Sequence, residues 1–180
     1  MNKVDCVFCS IPFIEYYLPA AAPAVLKGHL QSKGFVVNTF DFNISVKEKF
    51  EGNELIMASA YFSNRSKSFD EKLLVKIDSL VNEWVDKLLA VNPRFIGISV
   101  FSNDSRKACE MLLDRLAERQ HDCKVFIGGM GVDEEWLDTI KIDDSDSEDA
   151  DELDQERLDK LAETMAEKEA IGVGINVSFP

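Results

Sequence analysis

The sequence predicts an α/β fold, built on a doubly wound parallel sheet of four to five strands. Short apolar runs of four to eight residues alternate with longer segments whose apolar residues recur at helical spacing. The runs are apolar at nearly every position, which is typical of strands buried on both faces of a parallel sheet. The chain has 180 residues, 46% of them hydrophobic, so it can form one domain with a sizeable core.

The N-terminal part of the chain is predicted as strand, helix and strand. Val4–Ile11 is an apolar run that ends at Pro12, which lacks the N–H that a central strand needs. A helix follows over Ala20–Ser32, and Gly34 suits a left-handed cap after its end. Phe35–Phe40 is rich in β-branched and aromatic residues and is therefore predicted as the second strand.

The middle of the chain contains the clearest helix. Asp70–Val91 has apolar residues at three- and four-residue spacing, and Pro93 stops the pattern. Before it, Ile44–Phe50 is compatible with a short helix, and Leu55–Phe62 is apolar without a decisive period. The positions of the long helix predicted to face inward are Leu73, Leu74, Ile77, Leu80, Val81, Trp84, Val85 and Leu88.

Two further strands complete the predicted parallel sheet. Arg94–Val100 is the third, and Lys124–Ile127 is the fourth. Between them, Ser102 and Asn103 can cap a helix that runs to about Gln120. Strands and helices alternating in this way predict right-handed crossovers and helices on both faces, the flavodoxin-like (Rossmann-like) arrangement.

The C-terminal part has a different composition. Residues 143–156 hold nine acids in fourteen positions, and we interpret them as a solvated acidic segment. A helix over 151–170 and a last strand over 171–179 are predicted to follow. The predicted organisation is therefore an α/β domain over 1–132, which the segment 133–180 completes.

Charge excludes several kinds of partner. The net charge is −13, and residues 133–169 hold 17 acidic and 4 basic side chains, which leaves 16 of each sign elsewhere. Neither nucleic acid nor an anionic membrane surface is a predicted partner, because both are bound through clustered Lys and Arg. No stretch approaches the roughly 20 apolar residues of a spanning helix. The N-terminus also lacks the basic, apolar and small-residue pattern of a signal peptide, which predicts a cytoplasmic location.

The side chains that most often carry chemistry do not form a predicted site. Cys6 and Cys9 are three residues apart in a strand and should point to opposite faces, as two core cysteines. His29 and His121 have no cysteine or acidic partners at metal-ligand spacing, so a surface or packing role is predicted for each. No metal site, acid–base pair or activated nucleophile emerges, and an enzyme acting alone is therefore the least favoured reading.

Ligands of doubly wound sheets bind beyond the carboxyl ends of the strands. The segments that follow the four strands are Ser10–Pro19, Asp41–Asn43, Ser99–Asp104 and Gly128–Gly131. If Ser102 or Asn103 caps the next helix, the hydroxyl of Ser99 is left to face a ligand. The glycines either let a ligand approach the main chain or serve a turn with positive φ.

The order of these pieces resembles a known family. Residues 94–131 run as a strand with "GIS", a polar loop, a helix, a strand and a double glycine, as in the second half of a cobalamin-binding domain. The first strand ends in Ser10–Pro12, and "KGF" at 33–35 leads to a second strand that ends in Asp41–Asn43. Over about residues 3–132 the chain therefore resembles the cobalamin-binding domain found at the N-terminus of radical SAM proteins.

The resemblance implies that cobalamin is held at the carboxyl edge of the sheet, with its nucleotide tail between sheet and helices. A serine hydroxyl can hydrogen-bond a buried tail, and glycines let the tail pass close to the backbone. The cofactor-binding residues it implies are Ile11, Pro12, Asp41, Asn43, Ser99, Phe101, Ser102, Gly128, Gly129 and Gly131.

Three departures limit what the chain can do alone. The loop Ser10–Glu15 contains no histidine, so the cobalt would have no protein histidine ligand. The acidic-glycine segment that the family has after its fifth strand is reduced to Ile171–Gly174, and the CxxxCxxC motif of the radical SAM core is absent. The resemblance therefore implies a module for methyl transfer or rearrangement whose iron–sulfur cluster and S-adenosylmethionine belong to a radical SAM domain or subunit elsewhere. The alternative is a ligand-free scaffold or interaction domain with an acidic arm.

Overall fold

The structure, a computed structural model, describes residues 4–12, 21–66, 68–140, 160 and 175–177. Each strand and helix predicted before residue 132 is present, with shifted ends. In chain order the elements are β1 (Val4–Ser10), α1 (Ala21–Ser32), β2 (Val37–Asp41), α2 (Phe42–Lys49), α3 (Gly52–Phe62), α4 (Glu71–Ala90), β3 (Pro93–Ser99), a 3-10 turn (Asn103–Ser105), α5 (Arg106–Ala117), β4 (Lys124–Gly128), α6 (Glu134–Leu137) and β5 (Ile175–Val177).

The described strands form one sheet in the order β2-β1-β3-β4-β5. The first four are parallel, and β1 pairs with β2 on one side and β3 on the other. This order places the two central strands, β1 and β3, between helices on both faces. The predicted flavodoxin-like, doubly wound parallel sheet is therefore confirmed.

The last strand differs from the parallel expectation. β5 pairs with β4 in the antiparallel direction, with Val125 opposite Val177 and Ile127 opposite Ile175. The apolar pattern of residues 171–179 predicted a strand but carried no direction, because alternation of side chains is the same for both orientations of a strand. The rest of the predicted last strand lies outside the described residues.

The two faces of the sheet carry separate hydrophobic clusters. On one face, α1 places Leu26 and Leu30 against Phe8 and Phe95. On the other face, α2 to α5 cover β1, β3 and β4 and enclose the larger cluster, which includes Trp84. We call these the α1 face and the α4 face. Gly34, with φ +90°, ends α1 in the left-handed conformation that the sequence predicted.

Helix α4 buries the predicted stripe, with one exception. Seven of the eight predicted inward positions are buried, but Leu74 is 37% exposed. Leu73, in the same first turn, is buried in the core, so this turn does pack on the sheet side and Leu74 lies at the margin of the buried stripe.

An aromatic stack fixes the segment whose pattern was undecided in the sequence. The ring of Trp84 lies between those of Phe42 and Phe62, with centroids 5.2 and 5.8 Å away. Trp84 Nε1 donates to Ser45 Oγ at 2.6 Å, and that hydroxyl donates to the carbonyl of Phe42 at 2.7 Å. These contacts hold α2 and α3 against α4, and they fix the start of α2 directly after β2.

The main core continues past residue 132. Trp136 and Leu137 of α6 are buried in the cluster of the α4 face, and Asp133 caps α6 by accepting from Trp136 N at 2.9 Å. The predicted acidic segment 143–156 lies outside the described residues. So does the predicted helix 151–170, apart from the exposed Lys160.

Candidate functional site

A row of polar and small residues crosses the carboxyl edge of the parallel strands. Ser10 pairs with Asp41 on one side and with Ser99 on the other, and Ser99 pairs with Gly128. Side chains alternate along a strand, and Phe8 and Phe95 of the same strands face α1. The row therefore lies on the α1 face, and we call it the polar row.

Ser10 is the most unusual member of the polar row. It is 1% exposed, and its Oγ has no hydrogen-bond partner among the residues that the structure describes. Leaving a buried hydroxyl unsatisfied costs about 1–3 kcal/mol, and native structures keep few such groups. A hydroxyl in this position, beside the predicted ligand residue Ser99, is suited to a polar group of a bound molecule.

An aromatic side chain forms the floor below the polar row. Phe8 pairs with Gly97, one step of the same face below Ser10 and Ser99. A Cβ on Gly97 would lie 2.3 Å from Cδ1 of the Phe8 ring, so the ring occupies the space that a side chain at 97 would fill. A ligand that hydrogen-bonds the polar row would thus rest on an apolar surface.

Asp41 belongs to both the polar row and a helix cap. Its Oδ1 accepts from the backbone N of Asn43 at 3.0 Å, which caps α2. The carboxylate is half-buried, whereas Asn43 is 3% exposed in the first turn of α2. Because β2 passes into α2 without a loop, the cap fixes the position of the carboxylate.

The glycines after β4 pack against the chain itself. Gly129 has φ +123°, and a Cβ there would lie 2.3 Å from the carbonyl oxygen of Val100. A Cβ on Gly131 would lie 2.6 Å from the carbonyl oxygen of Ser102. The close approach of two loops therefore accounts for both glycines, and the positive φ is a second reason at Gly129. Of the two roles that the sequence left open for these glycines, the structure shows the turn role.

Two exposed apolar side chains lie where these loops meet. Val100 N donates to Gly128 O at 2.8 Å, and Gly131 N donates to Val100 O at 3.0 Å. Within the joined loops Phe101 is 47% and Met130 80% exposed. They form an apolar rim at the carboxyl edge of β3 and β4.

The remaining predicted site residues do not present side chains to the polar row. Ile11 is fully buried in the core of the α4 face, and Pro12 is buried beside it in the chain. Ser102 precedes the 3-10 turn, but its side chain makes no cap hydrogen bond, contrary to the cap considered in the sequence. The helix start is displaced to Arg106 because the 3-10 turn intervenes.

Three interactions of Arg106 fix the start of α5 next to this edge. Arg106 Nε donates to Gly131 O at 2.8 Å, and its guanidinium pairs with Asp133 and lies over the ring of Trp136. The pKa of Asp133 is lowered by the hydrogen bond from Trp136 N and by Arg106. These contacts bind the glycine loop to α5 and α6.

A lysine on the α4 side of the edge was not singled out from the sequence. Lys107 Nζ lies 3.4 Å from the centroid of the Tyr61 ring. Burial is the main cause that lowers the pKa of Lys107. No local sequence signal pairs these two residues, because they are far apart in the chain and meet only through packing of α3 against α5.

Cys6 and Cys9 are buried core residues, as the sequence predicts. Cys6 lies in the cluster of the α1 face and Cys9 in that of the α4 face. Burial raises the pKa of the Cys6 thiol to about 12 and raises that of Cys9 further. Among the residues that the structure describes, no three His, Cys, Asp or Glu side chains are grouped as ligands for a metal ion.

Within the described ranges, none of the helices is both long enough and apolar enough to traverse a bilayer.

The fold and the polar row define an α/β protein of flavodoxin-like topology with a polar carboxyl edge. Comparison of the chain with protein-family models, curated proteins and solved structures finds no match.

Proposed function

We propose that the chain is a cobalamin-binding module that serves a radical SAM catalytic domain or subunit outside this sequence, in the cytoplasm. The observation that carries the proposal is the buried, unpartnered hydroxyl of Ser10 at the centre of the polar row. It lies next to Ser99, the residue that the family resemblance implies for the nucleotide tail. A bound tail would supply the missing partner.

The residues present fit such a ligand in chemical character. Ser10 and Ser99 offer hydroxyls that donate and accept, and Asp41 offers a carboxylate that accepts. The Phe8 ring below them suits an apolar or aromatic part of the tail. When bound, cobalamin supplies the chemistry of methyl transfer or rearrangement, and the part played by these residues is to bind and orient it.

Retention of colour tests the proposal. The full chain mixed with hydroxocobalamin is expected to carry the pigment through gel filtration, and to bind cobinamide, which lacks the nucleotide tail, at least tenfold more weakly. The tail is the part that the polar row would recognise. Pigment that elutes entirely apart from the protein contradicts the proposal. Equal affinity for cobalamin and cobinamide contradicts recognition of the nucleotide tail by the polar row.

Substitution of Ser10 separates a binding role from a structural one. Ser10→Ala removes a hydroxyl that has no partner in the described part of the chain, so the thermal midpoint should stay the same or rise. Its affinity for cobalamin should fall about tenfold, since a lost hydrogen bond is worth about 1.4 kcal/mol. Titration monitored by absorbance and a thermal melt measure both.

Two matched variants accompany Ser10→Ala. Ser99→Ala should weaken binding similarly, whereas Ser32→Ala, on the exposed end of α1, should bind as the original chain does. Unchanged affinity in both Ser10→Ala and Ser99→Ala contradicts a role for the polar row.

The ligand-free scaffold remains the second candidate. The observation that favours it is the packing of Gly129 and Gly131 against the backbone of Val100 and Ser102. Packing within the chain thus accounts for two glycines that the resemblance assigns to cofactor binding. A chain that retains no corrin under the conditions above would support this candidate.

A further inference from the structure

A second polar groove lies at the opposite edge of the sheet from the polar row. It has a volume of about 390 Å³ and opens where β3 and β4 begin. Nothing in the proposed function uses it. Its walls are formed by Leu89, Asn92, Pro93, Gln120, His121, Asp122 and Cys123.

The groove contains a thiol in contact with an imidazole. Cys123 Sγ lies 3.1 Å from His121 Nδ1. From the sequence, a surface or packing role is predicted for His121, which has no cysteine or acidic partner at metal-ligand spacing. In the chain segment before β4, a spacing of two residues instead brings the ring back onto the thiol. A nucleophile within hydrogen-bond reach of a base is the arrangement that activates cysteines.

The state of His121 suits a base. Burial, its largest influence, lowers the pKa of the ring, so the imidazole is neutral near pH 7 and can take a proton. Backbone hydrogen bonds to Leu116 and Cys123 act in the opposite direction and raise that pKa, but burial outweighs them.

The other three cysteines provide an internal contrast. Cys6, Cys9 and Cys109 are fully or almost fully buried, and burial is the main cause that raises the pKa of each thiol. Their thiolates form rarely, and none of them lines this groove. Cys123 is also largely buried, at 8% exposure, but it lines the groove, so reactivity in the folded chain should be greatest at this thiol.

We propose that Cys123, with His121 as its base, is a site of thiol–disulfide exchange with small disulfides that carry no net negative charge. The Cys123 thiol gives its proton to His121 Nδ1, and the thiolate attacks one sulfur of the disulfide. A bond forms between Cys123 Sγ and that sulfur as the original S–S bond breaks, and the second sulfur leaves as a thiolate that takes the proton. The small disulfide is the oxidant, and the product is a mixed disulfide.

The charge preference follows from the walls of the groove. Of the described residues, the walls include the carboxylate of Asp122 and no Lys or Arg. A dianionic reagent is therefore repelled, whereas a neutral or cationic one is not.

The test uses the full, folded chain and 4,4′-dithiodipyridine, a neutral disulfide whose released thiopyridone absorbs light. One thiol per chain is expected to react at least 100-fold faster than the rest, and peptide mapping should place it at Cys123. Cys123→Ser should lose the fast phase. A fast thiol that maps elsewhere, or four thiols that react together, overturns the proposal.

Two further measurements test the base and the charge preference. His121→Gln should slow the fast phase at least tenfold at pH 7. Because the leaving thiols differ in pKa, the rates of cystamine and of the dianionic 5,5′-dithiobis(2-nitrobenzoate) with the original chain are each divided by the rate of the same reagent with free cysteine, and the ratio should be larger for cystamine. An unchanged rate in His121→Gln contradicts the role of His121 as the base, and a larger ratio for the dianion contradicts the charge preference. Mapping on the original chain still decides the site if a variant fails to fold, which circular dichroism reports. Cobalamin binding does not enter these measurements, so this proposal and the proposed function can fail separately.

Discussion

Gly129 occupies a place in the structure that no side chain fits. Its φ of +123° is a conformation that L residues rarely adopt, and the Val100 carbonyl oxygen takes the position next to a Cβ. The sequence could indicate that this loop needs glycine. It could not tell a ligand from a neighbouring loop, because both require only that a Cβ be absent.

Replacement of Gly129 should therefore be costly without any ligand present. Gly129→Ala is expected to lower the free energy of unfolding by about 2 kcal/mol or more, from backbone strain and the clash with Val100. Gly28→Ala is the matched control, since Gly28 lies inside α1 with nothing within 4 Å of its Cβ position. The control should gain about 0.5–1 kcal/mol. Urea unfolding measures both, and an equal response at the two positions would contradict this account.

The burial of the Ser10 hydroxyl is another property of a single residue that the sequence does not reveal. The sequence placed Ser10 at the carboxyl edge, together with all ten of the residues assigned to the ligand. That its hydroxyl lacks a partner depends on Asp41 and Ser99 across two strand pairings. This property depends on the tertiary packing around the residue and cannot be predicted from the local sequence pattern.

At the scale of elements, long periodic segments were the most predictable. Helix α4 spans Glu71–Ala90, within the predicted Asp70–Val91, and Asn92 takes a positive φ of 48° where the sequence predicted the stop. The helices α2 and α3 were less clear, because their burial depends on the stack around Trp84 and not on a stripe of their own.

Neighbouring leucines in α4 should respond differently to truncation. Leu73 is buried in the core and Leu74 is 37% exposed. Leu73→Ala is expected to cost about 2–4 kcal/mol of stability, and Leu74→Ala less than about 1 kcal/mol. The helix propensity lost is the same in both, so the difference measures burial. Chemical denaturation decides it, and losses of similar size would mean that the first turn of α4 is placed otherwise.

At the scale of the whole molecule, the sequence predicted the class of fold but not the order of its strands. The alternation of strands and helices was enough for a doubly wound parallel sheet. Which strands are neighbours is set by contacts between distant parts of the chain, and the direction of β5 is likewise not encoded in its three residues.

The strand order predicts how the molecule opens. β1 and β3 have partners on both sides, whereas β2 is an edge strand. Backbone amides of β1 and β3 should therefore exchange with deuterium at rates near those of global unfolding, and amides of β2 should exchange faster through local opening. Hydrogen exchange followed by mass spectrometry resolves the three strands. Protection of β2 equal to that of β1 would contradict the observed order.

The Phe8 ring over Gly97 ties together two positions that are 89 apart in the chain. Together they fill one volume, so bulk gained at 97 must be given up at 8. We therefore expect a larger side chain at 97 to be tolerated only together with a smaller one at 8, and such an exchange would reshape the floor beneath Ser10 and Ser99.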